Sequence, residues 1–111
     1  MADIRIGIIG ATGYTGSELI RLLLEHPRAS IELVTSHSNP GKPISRLSPH
    51  LGGIFDEVLE PTEAVEAQEL DLVFLALPHG KSMEFLARYG TDRFRVIDLS
   101  GDFRLKDPGL Y

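Results

Sequence analysis

Gly10, Gly13 and Gly16 stand three residues apart between an apolar run, Ile4 to Ile9, and an amphipathic run that follows. Strand, glycine turn and helix in that order can hold a pyrophosphate. Backbone N–H groups at the helix N-terminus donate to it, and the helix dipole favours its negative charge. The three glycines are expected to act differently. Gly10 allows the sharp turn off the strand, Gly13 lets backbone approach the phosphate, and Gly16 lets the helix pack closely on the sheet. The cofactor loop is therefore expected at Gly10, Ala11, Thr12, Gly13, Tyr14, Thr15 and Gly16. The spacing is G-x-x-G-x-x-G rather than G-x-G-x-x-G, so its strand-and-helix context carries the reading. The competing reading is a tight turn that uses glycine for packing alone.

The end of the second strand discriminates between nucleotides. In dinucleotide-binding folds an acidic residue there hydrogen-bonds the ribose 2′-OH of NAD. This chain has Ser36-His37-Ser38-Asn39 instead, with Lys42 and Arg46 close behind. A carboxylate would repel a 2′-phosphate, whereas Ser36, Ser38 and the imidazole would accept one, so the sequence favours NADP over NAD. Turn chemistry alone accounts for each of these residues taken separately.

The elements that must position these groups follow from hydrophobic periodicity. A strand buried on both faces is expected at Ile4 to Ile9. Next comes a helix from Tyr14 to Glu25, with Leu19, Ile20, Leu22, Leu23 and Leu24 as a broad apolar stripe, Thr15 or Ser17 serving its first turn, and Pro27 ending it. A second strand is expected at Ile31 to Thr35. Ser36 to Leu70 is broken by prolines and glycines, with a short strand near Glu57 to Leu59 and a helical turn at Thr62 to Ala67; its length suggests a functional or partly ordered segment. A third strand spans Leu72 to Leu77, a helix Lys81 to Tyr89 is capped by Gly90, and a last strand covers Arg95 to Leu99. This alternation predicts an α/β fold: a parallel Rossmann-type sheet with helices on both faces.

Such a fold normally has two mononucleotide-binding halves. Residues 1–111 hold the first half and the start of the second, so they are expected to be the N-terminal part of an NADP-binding domain, truncated at the C-terminal side, with Val96 to Leu99 lacking an outer neighbour. At 42% hydrophobic and 24% charged, the composition is that of an ordinary soluble domain. With no membrane-spanning run and no leader segment, the expected location is cytoplasmic, with no membrane partner. The net charge of −5 argues against a nucleic-acid partner. There is no cysteine, which rules out a thiolate nucleophile within these residues, and the four histidines lack paired ligand spacing, so no metal site is expected.

Three segments together resemble the N-acetyl-gamma-glutamyl-phosphate reductases, NADP-dependent enzymes of arginine biosynthesis. They are Gly7-Ile8-Ile9-Gly10-Ala11-Thr12-Gly13-Tyr14-Thr15-Gly16, Ala76-Leu77-Pro78-His79-Gly80 and Asp98-Leu99-Ser100-Gly101-Asp102-Phe103-Arg104-Leu105. The first is shared with the aspartate-semialdehyde dehydrogenases, and the third is more specific to the reductases. The resemblance implies reductive dephosphorylation of an acyl phosphate through a cysteine thioester that accepts hydride from NADPH, with a histidine as acid/base. Neither catalytic residue has a counterpart here, so no catalytic residue is assigned and the chain alone is expected to be inactive. What carries over is the glycine loop, Ser36 and Ser38 near the adenosine phosphate, and Pro78 and His79 as a wall of the nicotinamide site. For His79, flanked by Pro78 and Gly80, backbone shape outweighs a general-base role. Arg104 is expected to grip the acyl phosphate, against an ion pair with Asp98, Asp102 or Asp107. Lys81 could meet a phosphate or be a solvated helix lysine. The resemblance also implies a homo-oligomeric parent protein.

Two alternatives stay open on the sequence. A lysine-pathway reductase acting on a carrier-bound substrate would need a basic docking surface, of which only Lys42 and Arg46 hint. A non-catalytic nucleotide-binding module would suit a naturally short chain without a nucleophile.

Overall fold

Ile4, Ile6, Ile8 and Ile9 form most of the central strand, β1 (Ile4–Ile9), and the remaining elements assemble around it. The computed structural model describes residues 3–78, 80–90 and 92–99. After β1 come α1 (Tyr14–Leu24), β2 (Ala29–Val34), β3 (Leu72–Leu75), α2 (Lys81–Tyr89) and β4 (Arg95–Asp98). The strands form one parallel sheet in the order β2-β1-β3-β4. This is the expected Rossmann-type α/β architecture.

Alternation along β1 divides the core into two layers. Ile6 and Ile8 pack with Ile20 of α1 and with Ile44, Leu51 and Leu59 of the following segment. Ile9 faces the other way, with Val73, Leu75, Val65 and Phe85 of α2. Helices therefore do cover both faces. Gly7 completes the second layer by absence: a Cβ there would lie 2.8 Å from Leu70 Cδ1.

The element boundaries differ from expectation at the ends. β2 begins at Ala29, because Ala29 and Ser30 pair with Ile4 and Arg5. β3 stops at Leu75, and residues 76–78 continue without regular structure. In α1 the apolar stripe is narrower than its five residues suggest. Ile20 is buried and Leu19 and Leu23 are half-buried, but Leu22 is 57% exposed and Leu24 also faces solvent. At 3.6 residues per turn these two rotate away from the sheet.

The segment 36–70 has more order than its punctuation suggests. Short 3-10 helices form at Ile44–Arg46, Pro49–Leu51 and Thr62–Ala67, the last where a helical turn is expected. In place of the strand expected at Glu57 to Leu59 there are two isolated bridges: Pro43 with Val58, antiparallel, and Thr35 with Glu60, parallel. Four prolines and three glycines in this stretch leave no room for a continuous ladder. Ile44, Leu51, Leu59 and Val65 anchor it in the two core layers.

At the N-terminal ends of the strands, Arg5 forks onto Asp71. Its Nε and Nη2 each donate at 3.2 Å, its backbone N–H donates at 2.8 Å, and Nη1 meets Glu69 at 3.1 Å. The side-chain hydrogen bond from Arg5 is the main reason the Asp71 carboxyl titrates below the ordinary aspartate range. A depressed carboxyl contributes stability above its unfolded-state pKa and loses it as pH falls through the folded value. Acidification below about pH 4 is expected to lower the urea midpoint of the native chain more steeply than that of Asp71→Asn. Parallel acid limbs for the two proteins would show that Asp71 contributes nothing to the acid sensitivity.

Candidate functional site

The chain turns off β1 at Gly10, whose φ of +83° is one that L side chains rarely adopt. Thr35, fully buried just past β2, fixes this turn from below. Its Oγ1 accepts the Gly10 N–H at 3.1 Å, its carbonyl accepts the Ala11 N–H at 2.9 Å, and its own N–H donates to Ile8 at 3.0 Å. Gly16 lets α1 sit on this turn, since a Cβ there would lie 2.6 Å from the Ala11 carbonyl oxygen. Gly13 differs. It is the N-cap of α1, in extended backbone, and nothing lies within 4 Å of where its Cβ would stand.

The start of α1 is electrostatically open. No side chain caps it and its first turn holds no acidic residue. The N–H groups of Thr12, Gly13, Tyr14 and Thr15 have no acceptor among the described residues. Of Thr15 and Ser17, it is Ser17 that serves the first turn, its hydroxyl donating to the Tyr14 carbonyl at 3.3 Å. Tyr14 is 93% exposed.

A groove of about 960 Å³ runs over this helix terminus along the C-terminal ends of the strands. Gly10, Thr12, Gly13, Tyr14 and Thr15 line its floor, Ser36, His37 and Ser38 one end, and Ala76, Leu77 and Pro78 another stretch. Eight of the expected cofactor residues thus share one cavity. Ala11 and Gly16 do not line it: both are buried beneath, and the Ala11 N–H is engaged by Thr35. His79 and Arg104 lie outside the described residues.

Ser36 is part of a turn as well as of the groove. Its Oγ accepts the Asn39 N–H at 3.0 Å and its own N–H donates to the Glu60 carbonyl at 3.0 Å, so the loop is held in place before any ligand arrives. Lys42 and Arg46, expected to add positive charge here, do not line the groove. Lys42 reaches Asn39 of its own turn at 3.3 Å, and Arg46 ends the first 3-10 helix. Among the described residues, the Lys and Arg side chains lining the groove are Lys81 and Arg88 of α2. Lys81 also pairs with Glu84 at 3.3 Å, one turn along an exposed helix face.

Sequence reasoning missed several groove residues. Thr62 and Glu63 come from the third 3-10 helix, and Arg88 and Tyr89 face them from the end of α2. Glu66 ties the two walls together, accepting the Tyr89 hydroxyl at 3.3 Å and pairing with Arg88 at 3.6 Å. Desolvation raises the Tyr89 pKa; the Arg88 charge opposes this, and the Glu66 charge and hydrogen bond add to it. The i, i+3 and i, i+4 spacing of Lys81, Glu84 and Arg88 placed them on one helix face, but nothing local said what that face meets.

The chain matches other proteins along its whole length. It is 48% identical over 109 residues to N-acetyl-gamma-glutamyl-phosphate reductase of Nitrosococcus oceani, an alignment covering 97% of this chain and 32% of that one. To the protein of the same name from Methanosphaera stadtmanae it is 48% identical over 112 residues, covering 100% and 32%. The Methanosarcina mazei protein gives 49% over 106 residues, covering 95% and 31%. The chain spans about a third of the length of these curated relatives. Among solved structures, aspartate semialdehyde dehydrogenase with NADP from Candida albicans superimposes with a TM-score of 0.70 at 21% identity, covering 95% of this chain and 32% of that one; at that identity it speaks for the fold alone. The family described as semialdehyde dehydrogenase, NAD binding domain, matches residues 5–111. The resemblance read from the three motifs is borne out: this chain belongs to the semialdehyde dehydrogenase NAD-binding-domain family.

Proposed function

We propose that this chain is the NADP(H)-binding part of an N-acetyl-gamma-glutamyl-phosphate reductase, a cytoplasmic enzyme that reductively dephosphorylates an acyl phosphate in arginine biosynthesis. The observation that carries the reading is the uncapped start of α1 under an open groove. Unpartnered N–H groups, no nearby carboxylate on the helix, and empty space above Gly13 fit a diphosphate. Thr12, Gly13, Tyr14 and Thr15 would hold the pyrophosphate. Ser36 and Ser38, with His37 between them, would take the 2′-phosphate, because the end of β2 offers hydroxyls and an imidazole where NAD-specific folds place an acid. Pro78, and His79 beside it, would border the nicotinamide. When bound, the cofactor supplies the hydride.

This chain's residues bind and orient; the nucleophile belongs to the remainder of the parent protein, since residues 1–111 contain no cysteine. Arg104 is assigned to the acyl phosphate on the resemblance of its motif, and a homo-oligomeric parent on the same ground.

Calorimetric titration tests the reading. NADPH is expected to bind at least about tenfold more tightly than NADH, the effect of one or two charge-assisted hydrogen bonds to the 2′-phosphate. Gly13→Ala is expected to weaken NADPH by at least about tenfold while changing folding stability by less than about 1 kcal/mol, because alanine fits the extended backbone and fills only the space the phosphate would use. Equal affinity for the two nucleotides would overturn the 2′-phosphate assignment. An unimpaired Gly13→Ala would overturn the phosphate site.

A further inference from the structure

Serine is a poor helix former that ordinarily faces solvent or caps a terminus. Ser82 does neither. It is the second residue of α2, the N-cap is Gly80, and no side chain caps the helix. Ser82 is fully buried, and its hydroxyl donates at 3.1 Å to Oδ1 of Asp98, the last residue of β4. A local preference overridden in this way points to a tertiary purpose.

Its place in the fold says what that purpose is. The chain leaves β3 between two neighbours: the Ala76 N–H donates to the Ile9 carbonyl at 2.9 Å on one side, and Leu99 donates to Leu75 at 2.8 Å on the other. Beyond Ala76 the chain reaches Pro78, which lines the groove, and the Lys81 N–H at the start of α2 donates to the Pro78 carbonyl at 3.1 Å. Pro78 thus lies between two anchored points, Ala76 held by the strand and the helix turn held by Ser82. The second anchor reaches a different strand, at the start of the Asp98-Leu99-Ser100-Gly101-Asp102 motif.

We propose that Ser82 is a positioning residue. Through Asp98 it holds the first turn of α2, whose Lys81 N–H bonds the Pro78 carbonyl, in place against the nicotinamide end of the groove. The inference rests on the proposed function, because it assigns that turn to the nicotinamide half of the dinucleotide. Without the anchor the turn must be ordered when ligand binds, and the cost falls on whatever contacts it. The adenosine half, bound near Ser36 and the glycine loop, does not contact the turn.

The test uses NADPH and 2′,5′-ADP, which carries the adenosine half without the nicotinamide. Both are titrated calorimetrically against the native chain, Ser82→Ala and Ser82→Cys, the last keeping the volume while weakening the donor. In either variant that folds, NADPH is expected to weaken by about three- to tenfold while 2′,5′-ADP is unchanged. Equal loss for both ligands, or for neither, overturns the positioning role. If neither variant folds, amide exchange of the native chain decides. Residues 81–84 are expected to gain protection with NADPH and not with 2′,5′-ADP, and equal protection overturns the proposal. A native chain that binds neither ligand overturns the proposed function itself, a result distinct from any pattern among the variants.

Discussion

Gly10→Ala is expected to destabilise the fold by about 2–5 kcal/mol and to abolish nucleotide binding. Two costs coincide at this position. The backbone sits at φ +83°, a conformation that costs an L residue roughly 1–2 kcal/mol. The added Cβ would also stand 2.7 Å from the Ala76 carbonyl oxygen, closer than real Cβ contacts come. That oxygen is backbone at the end of β3, next to the hydrogen bond that joins Ala76 to Ile9, so relief requires the two central strands to separate. Gly41→Ala isolates the first cost, because Gly41 has φ +89° with nothing within 4 Å of its Cβ position. Urea unfolding of the two variants should therefore differ by the contact term, about 1–3 kcal/mol. Equal midpoints would mean that the strand ends yield freely and that the turn is held by conformation alone.

How much of this was legible in the sequence depends on the range of the interaction that made each feature. β1 and α2 were read to the residue, because an isoleucine-rich run and a helix between Gly80 and Gly90 carry their own boundaries. The turn at Gly10 and the close packing at Gly16 were legible too, since both are backbone requirements that only particular residues meet. Legibility ended where partners lie far apart in sequence. Nothing near Ser36 shows that its N–H will pair with Glu60, or that Gly41 will donate to Leu59, yet these bonds shape the loop at the end of β2. Lys42 and Arg46 illustrate the converse: they are close to Ser38 in sequence, but the turn at Pro40-Gly41 carries them away from the groove. Among the described residues, Lys81 and Arg88 on the groove come instead from α2, about forty residues further on. Leu22 and Leu24 belong to the expected apolar stripe, but only the arc around Ile20 is covered and both face solvent. Thr35 was unreadable for a simpler reason. A β-branched residue at the end of a strand is ordinary, and only the fold shows that its hydroxyl lies under Gly10.

Thr35→Val is the second large effect expected, and it separates the hydroxyl from the shape of the side chain. Valine fills nearly the same volume, so packing survives, but the Gly10 N–H, half-buried beneath the groove, loses its acceptor. An unsatisfied buried donor costs about 1–3 kcal/mol. Thr35→Ser keeps the acceptor and loses a methyl group, with a cost near 1 kcal/mol. The order of stability in urea should therefore be native, then serine, then valine. The order of NADPH affinity should match it, because the turn that Thr35 fixes is continuous with the N–H groups of Thr12 to Thr15. Valine and serine variants of equal stability would show that the hydrogen bond to Gly10 contributes nothing. If the valine variant were less stable but bound NADPH as tightly as the native chain, the loop would be set by Gly16 packing on Ala11 rather than by Thr35. The two residues that hold this turn, one by its size and one by its oxygen, are in contact, so their effects should not add. Gly10→Ala already displaces the N–H that Thr35 accepts, and in the double variant Thr35→Val should cost measurably less than it does alone.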